Sequence, residues 1–226
     1  MTVPRNTVLL GASGLVGGFC LQAVLADASV ARVTLLNRRE LAIAVDPRLT
    51  QKIVNFEELS AADFTGADSV FCALGTTMQK AGSKEAFRRV DLEYPLAAAK
   101  AARLARVREF ILVSSVGADP RSGNFYLRTK GELEQQLGAL GFTTLHIFRP
   151  SLLLGRRQEF RLGERVMIVL APLLNLPLIG GLRRYRAISA ENVGKAMTVA
   201  ARNQGPGVFV YHYKEIVDLA SQTVPA

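Results

Sequence analysis

The chain has no tryptophan, two cysteines, two histidines and few aromatic residues, 7% of 226. Cys20 and Cys72 are too few for the disulfide framework of a small secreted scaffold. They are read as buried apolar residues of a reducing compartment, not as nucleophiles. His146 and His212 have no carboxylate or serine at an informative spacing, so both are expected to be packing or surface residues. Asp63, Asp68, Asp91 and Asp119 are dispersed along the chain, and no metal site is expected.

Acidic charge is also scarce, with 19 Asp and Glu against 28 Lys and Arg and a net charge of +9. The excess is local: between Arg149 and Arg186 stand eight arginines against Glu159 and Glu164. No recognised nucleic-acid motif accompanies these arginines, so nucleic-acid binding is not expected. Apolar runs long enough to cross a bilayer are missing too. Val166 to Ile179 is short and broken by Pro172 and Pro177. It reads as an apolar lid over a hydrophobic substrate or as a packed helix. Contact with an anionic membrane surface is a third, less favoured reading. Arg5 followed by Val8 to Ala26 has the outline of a secretory signal, but Asp27 interrupts the run without a cleavage site. The expected localisation is cytoplasmic.

Glycine is well supplied and placed with purpose. Thr7 to Leu10 is an apolar strand that runs into Gly11, Gly14 and Gly17 and then an apolar helix. Glycines at this spacing permit a tight turn and let main-chain N–H groups approach a pyrophosphate, which the positive end of the helix also favours. The run Gly11, Ser13, Gly14, Leu15, Val16 and Gly17 is therefore assigned to cofactor phosphate.

Downstream, strands and helices alternate. Strands are expected at Thr7–Gly11, Val33–Asn37, Lys52–Phe56, Ser69–Leu74, Glu109–Ser115 and Thr144–Phe148, and helices at Leu15–Ala26, Lys84–Ala105, Tyr126–Leu140 and Ala190–Arg202. A short strand and helix close the chain. Alternation predicts an α/β fold with a doubly wound parallel sheet of Rossmann type, a core over residues 1–150 and a small C-terminal substrate lobe over 151–226.

In such a sheet the end of the second strand meets the adenosine ribose. Here it reads Asn37-Arg38-Arg39, two guanidinium groups where an acidic residue would bind a free 2′-hydroxyl. The expected cofactor is NADP(H). Tyr126 and Lys130 lie four apart, on one helix face and about 6 Å along its axis. An ammonium there lowers a phenol's pKa and can hold a nicotinamide ribose. Ser115, eleven residues earlier at the end of the fifth strand, is chosen to bind a substrate carbonyl, with Ser114 in reserve because alternation sends the two to opposite faces.

Taken with Phe71 to Thr77, Lys80-Ala81-Gly82, Arg89-Val90-Asp91, Lys130-Gly131-Glu132, Phe148-Arg149-Pro150 and Arg157-Gln158-Glu159, these residues make the chain resemble the atypical short-chain dehydrogenases. Within that class it is most similar to the Tat-interacting-protein oxidoreductases. The resemblance covers most of the first 165 residues and implies a Rossmann fold with bound NADPH. It also implies Leu74 and Gly75 beside the adenosine, and Leu153 and Arg161 reaching the cofactor from the loop after the sixth strand. A homodimer follows only by family analogy. The partner-binding role of the animal members is not transferred, because the chain becomes far more apolar after Arg165. The expected function is NADPH-dependent reduction of a small, unidentified carbonyl compound by Ser115, Tyr126 and Lys130. The alternative is an NADPH-sensing module with little turnover.

Overall fold

A computed structural model describes residues 4–155, 180–202 and 205–222. Its centre is a seven-stranded sheet in which every neighbouring pair is parallel. The strands are β1 (Arg5–Leu10), β2 (Val30–Asn37), β3 (Leu49–Ile53), β4 (Ser69–Cys72), β5 (Glu109–Val113), β6 (Thr144–Phe148) and β9 (Gly207–Tyr211), in the order β3-β2-β1-β4-β5-β6-β9. A two-residue pair, β7 (Leu153–Leu154) with β8 (Ile188–Ser189), lies outside it. Strands β4 and β6 are buried throughout, as parallel strands covered on both faces must be.

Helices α1 (Leu15–Leu25), α6 (Ala190–Ala200) and α7 (Tyr213–Ala220) cover one face, packing on Leu9, Leu35, Phe71, Ile111 and Phe148. On the other, α4 (Tyr94–Leu104) and α5 (Phe125–Gly138) pack on Val8, Leu10, Phe110, Leu112 and Ile147. The short helices α2 (Met78–Ala81) and α3 (Lys84–Arg88) precede α4. The doubly wound architecture is as expected, but the sheet takes its last strand from beyond residue 150. Asp27 ties that later part to the first strand: its buried carboxylate meets Arg5 at 3.2 Å and Arg202 at 2.6 Å.

Three local expectations are corrected. The third strand lies at Leu49–Ile53, not Lys52–Phe56, because an edge strand pairs on one side and tolerates polar Thr50, Gln51 and Lys52. The expected single helix Lys84–Ala105 is broken by a wide π turn over Arg89–Glu93, in which the Tyr94 N–H reaches back to the Arg89 carbonyl. Pro95 explains it: its ring clashes with the carbonyl four residues earlier, that of Asp91, so the α-ladder opens there. His146 does have a carboxylate partner. It is buried, with Nε2 3.1 Å from Glu109 and Nδ1 2.8 Å from Tyr211.

The readings of Arg161 and of Val166 to Ile179 fall outside the described residues. Among the described residues no helix is long and apolar enough to cross a membrane. No His, Cys, Asp and Glu group among them is suited to a metal. Cys20 and Cys72 are free and buried, and burial pushes their thiols up to about 12 and about 11.

Candidate functional site

The candidate residues collect at the carboxyl ends of the parallel strands, where open α/β sheets bind ligands. Between β1 and α1 the chain turns at Gly11, whose φ of +86° is one that other residues rarely adopt. A Cβ there would stand 2.6 Å from the Ala73 carbonyl and 2.9 Å from Leu74 N, so the turn is pressed against the end of β4. The Gly14 N–H donates to Gly11 O at 2.9 Å. No side chain caps α1 and no acidic residue occupies its first turn. Ser13 and Gly14 are exposed and Val16 and Gly17 buried. This turn, at a helix N-terminus that no side chain caps, fits a pyrophosphate.

Gly17 closes the turn from below. A Cβ on it would lie 2.0 Å from Gly11 O, a distance that only backbone movement could relieve. Gly17→Ala is therefore expected to abolish nucleotide binding and to cost about 2 kcal/mol or more of stability. Gly138→Ala, where nothing lies within 4 Å, serves as the control and should be neutral or stabilising. Thermal denaturation with and without NADPH checks both.

Arg38 and Arg39 leave the end of β2 exposed to solvent. Leu74 and Gly75 follow β4, Leu74 partly buried beneath the sheet. On the far side, Leu153 packs partly buried, and a Cβ on Gly155 would lie 3.0 Å from the Leu15 side chain, so this segment passes over the start of α1.

Asn124 caps α5 by accepting the Leu127 N–H. Tyr126 is half-buried with its ring 5.6 Å from that of Phe87. One turn on, Lys130 is buried and paired with Asp91 at 2.7 Å. The other Asp91 oxygen accepts the Thr76 N–H at 2.8 Å. A Cβ on Gly75 would lie 3.3 Å from Asp91 and 3.8 Å from the ammonium, so the loop after β4 passes directly over the pair. Burial disfavours the charged lysine, but Asp91, Tyr126 and Cys72 outweigh it and hold its pKa above the ordinary value.

Past the end of β5 the two serines separate as expected. Ser114 is buried and donates to Glu134, which is also forked by Arg149. Ser115 is half-buried and donates only to the neighbouring Val116 carbonyl, at 3.3 Å. Its turn is fastened to α5 through Asp119 N and Leu127 O, beside Tyr126.

Sequence reasoning missed Asp91. It was set among dispersed acidic residues, yet the wide turn aims it at Lys130. The available signals are Pro95 four residues later and the place of Asp91 in the shared segment Arg89-Val90-Asp91.

A family model described as NAD(P)H-binding matches residues 11–147. The chain is 42% identical over 164 residues to Protein HTATIP2 of Rattus norvegicus, covering 71% of this chain and 67% of that protein. It is 35% identical over 198 residues to Protein fmp52, mitochondrial, of Emericella nidulans, covering 84% of each. Among solved structures, MoeE5 in complex with UDP-glucuronic acid and NAD superposes with a TM-score of 0.72 at 16% identity, covering 96% of this chain and 81% of that one. The dTDP-glucose 4,6-dehydratase DesIV from Streptomyces venezuelae gives 0.70 at 18%, covering 92% and 74%. At these identities the structures establish the fold alone.

Proposed function

The chain belongs to the NAD(P)H-binding family, among the atypical short-chain dehydrogenases related to HTATIP2 and Fmp52, and from that premise we propose that it is an NADPH-dependent reductase of a small carbonyl compound. The observation that carries the reading is the buried Lys130–Asp91 pair. It is fixed beside Gly75 and one helical turn from Tyr126, at the same end of the sheet as the glycine turn.

Each residue then has a task. Main-chain N–H groups of Ser13, Leu15 and Val16 would hold the pyrophosphate, that of Gly14 being committed to Gly11 O. Arg38 and Arg39 hold the 2′-phosphate by charge-assisted hydrogen bonds. The nucleotide held by these residues would, when bound, be the source of the hydride for the carbonyl carbon. Tyr126 and Ser115 bind the carbonyl oxygen, and Tyr126 gives it a proton, which solvent restores. Lys130 stays charged, stabilises the tyrosinate left behind and holds the ribose hydroxyls. Ser115 is preferred to Ser114 because the Ser114 hydroxyl is committed to Glu134. The substrate is a small molecule and nucleic acid is not a partner. Cytoplasmic residence is supported by two buried free thiols and opposed by the mitochondrial names of the fungal relatives. Fractionation of the tagged protein decides between them.

Calorimetric titration should give NADPH an affinity about tenfold or more above that of NADH. Replacing Arg38 and Arg39 together with alanine should remove most of that preference and leave NADH binding little changed. Equal affinities in the unaltered protein overturn the NADP assignment. NADPH oxidation across aldehydes, ketones and quinones tests the reaction. Tight NADPH binding with no turnover on any of them would favour the cofactor-sensing alternative.

A further inference from the structure

Where a doubly wound sheet commonly places a helix between its second and third strands, residues 38–48 of this chain form a loop. A helix satisfies its own backbone hydrogen bonds, whereas a loop depends on side chains or water for the same purpose. Arg38 and Arg39 open this loop, so its pose decides where two long cationic side chains can reach.

One side chain on the edge strand β3 fixes that pose. Gln51 Oε1 accepts the Leu41 N–H at 3.0 Å, and Gln51 Nε2 donates to the Leu41 carbonyl at 2.9 Å. The amide thus imitates a strand neighbour for a residue that has none. The same Oε1 accepts Asn37 Nδ2 at 3.2 Å, and Asn37 is the buried last residue of β2. Both ends of the span Asn37 to Leu41 therefore converge on one amide, leaving Arg38, Arg39 and Glu40 as a short bow held at its two feet. Among the described residues, Leu41 is the point between Arg38 and Val45 at which the loop backbone is hydrogen-bonded within the protein. The next fixed point is Asp46, gripped by Arg48 at 2.9 Å. Val45 between them is wholly exposed.

Taking Arg38 and Arg39 as the cations of the 2′-phosphate, as proposed above, we infer that Gln51 is a positioning residue for cofactor choice: it orders the bow before the nucleotide arrives and so sets the preference for a phosphorylated ribose. Without Gln51, binding must order the loop as well as the two arginine side chains, and that entropy is charged only against the ligand that uses them. A nucleotide lacking the 2′-phosphate makes no such demand. Nothing in the sequence pattern marks Gln51, because it acts through the backbone of a residue ten positions away.

The test is nucleotide affinity, read by NADPH and NADH fluorescence titration in four proteins: unaltered, Gln51→Met, Arg38→Ala with Arg39→Ala, and the triple variant. Met keeps the length of Gln and removes both polar atoms. Gln51→Thr, with a strand-forming residue at this half-exposed edge position, replaces Met if that variant does not fold. Gln51→Met should weaken NADPH about tenfold and change NADH less than about twofold. It should also speed hydrogen exchange in the segment 38–48 without ligand. In the background lacking both arginines the same substitution should have no further effect on NADPH, since its action passes through them. Two results overturn the inference alone: unchanged NADPH affinity in Gln51→Met while the double arginine variant loses its preference, or an equal loss with and without the arginines. If the double arginine variant keeps the unaltered NADPH to NADH ratio, the reading of Arg38 and Arg39 falls, and the role of Gln51 with it.

Discussion

Tyr126→Phe is expected to bind NADPH and melt almost as the unaltered protein does, while reducing a carbonyl substrate about 100-fold or more slowly. The separation follows from where the ring sits. Its packing on Phe87, 5.6 Å between centroids, needs no hydroxyl, so phenylalanine keeps the contact and the start of α5. Only the proton is lost. Tyr126 stands one helical turn from Lys130, a cation that burial disfavours and that Asp91 keeps charged. Lys130→Met should slow reduction as well, but with weaker NADPH binding, since it removes the ribose contact too. Single-turnover rates at saturating NADPH separate the two effects. If Tyr126→Phe reduces the substrate at the unaltered rate, the Tyr/Lys mechanism is wrong.

The parts of this protein that were legible in its sequence are those governed by local rules. An apolar strand, glycines at a three-residue spacing and an apolar helix can hardly be anything but a tight strand-to-helix turn, and the structure shows Gly11 and Gly17 with no room for a side chain. The end of β2 and the Tyr126–Lys130 helix face were readable for the same reason, each being set by periods of two or 3.6 residues. What escaped depends on distant partners. Asp91 is a surface-looking acid until a proline-driven widening of the helix turns it onto a lysine 39 positions later in sequence. Gln51 is an ordinary polar residue until the loop after β2 folds back over it. Nothing near His146 in sequence offers a carboxylate, because Glu109 sits one strand over, 37 positions earlier, where only the parallel register of β5 and β6 brings it near. Strand β3 was misplaced because apolar content is a poor guide at a sheet edge, where one side of the strand meets water.

Removing Asp91 should be the most damaging single change at this site that touches no expected ligand contact. The Lys130 side chain is 5% exposed and that of Asp91 1%, so the pair has little water to fall back on when one partner goes. Breaking such a pair costs about 3–5 kcal/mol, because a charge is left buried without compensation. In a chain of this size that corresponds to a fall in melting temperature of roughly 10 °C. Asp91→Ala also frees the Thr76 N–H, loosening the loop that carries Gly75. Asp91→Asn can still accept from Thr76 but offers Lys130 a neutral partner, so it should lie between the two. Converting Lys130 to Met in the Asp91→Ala background should recover most of the lost stability, since no unpaired charge remains. The pH dependence has a definite sign. Because the folded-state pKa of Lys130 is raised, the pair's contribution is complete at neutral pH and is lost only as pH climbs through that raised value, above about pH 10. In Asp91→Ala the buried lysine lacks its counter-charge and sheds its proton more easily, so the gap from the unaltered protein should be widest at pH 6 and narrow as pH rises toward about 10. Chemical denaturation at three pH values measures it, and a loss below about 1 kcal/mol at neutral pH would show that the pair does not hold the site together.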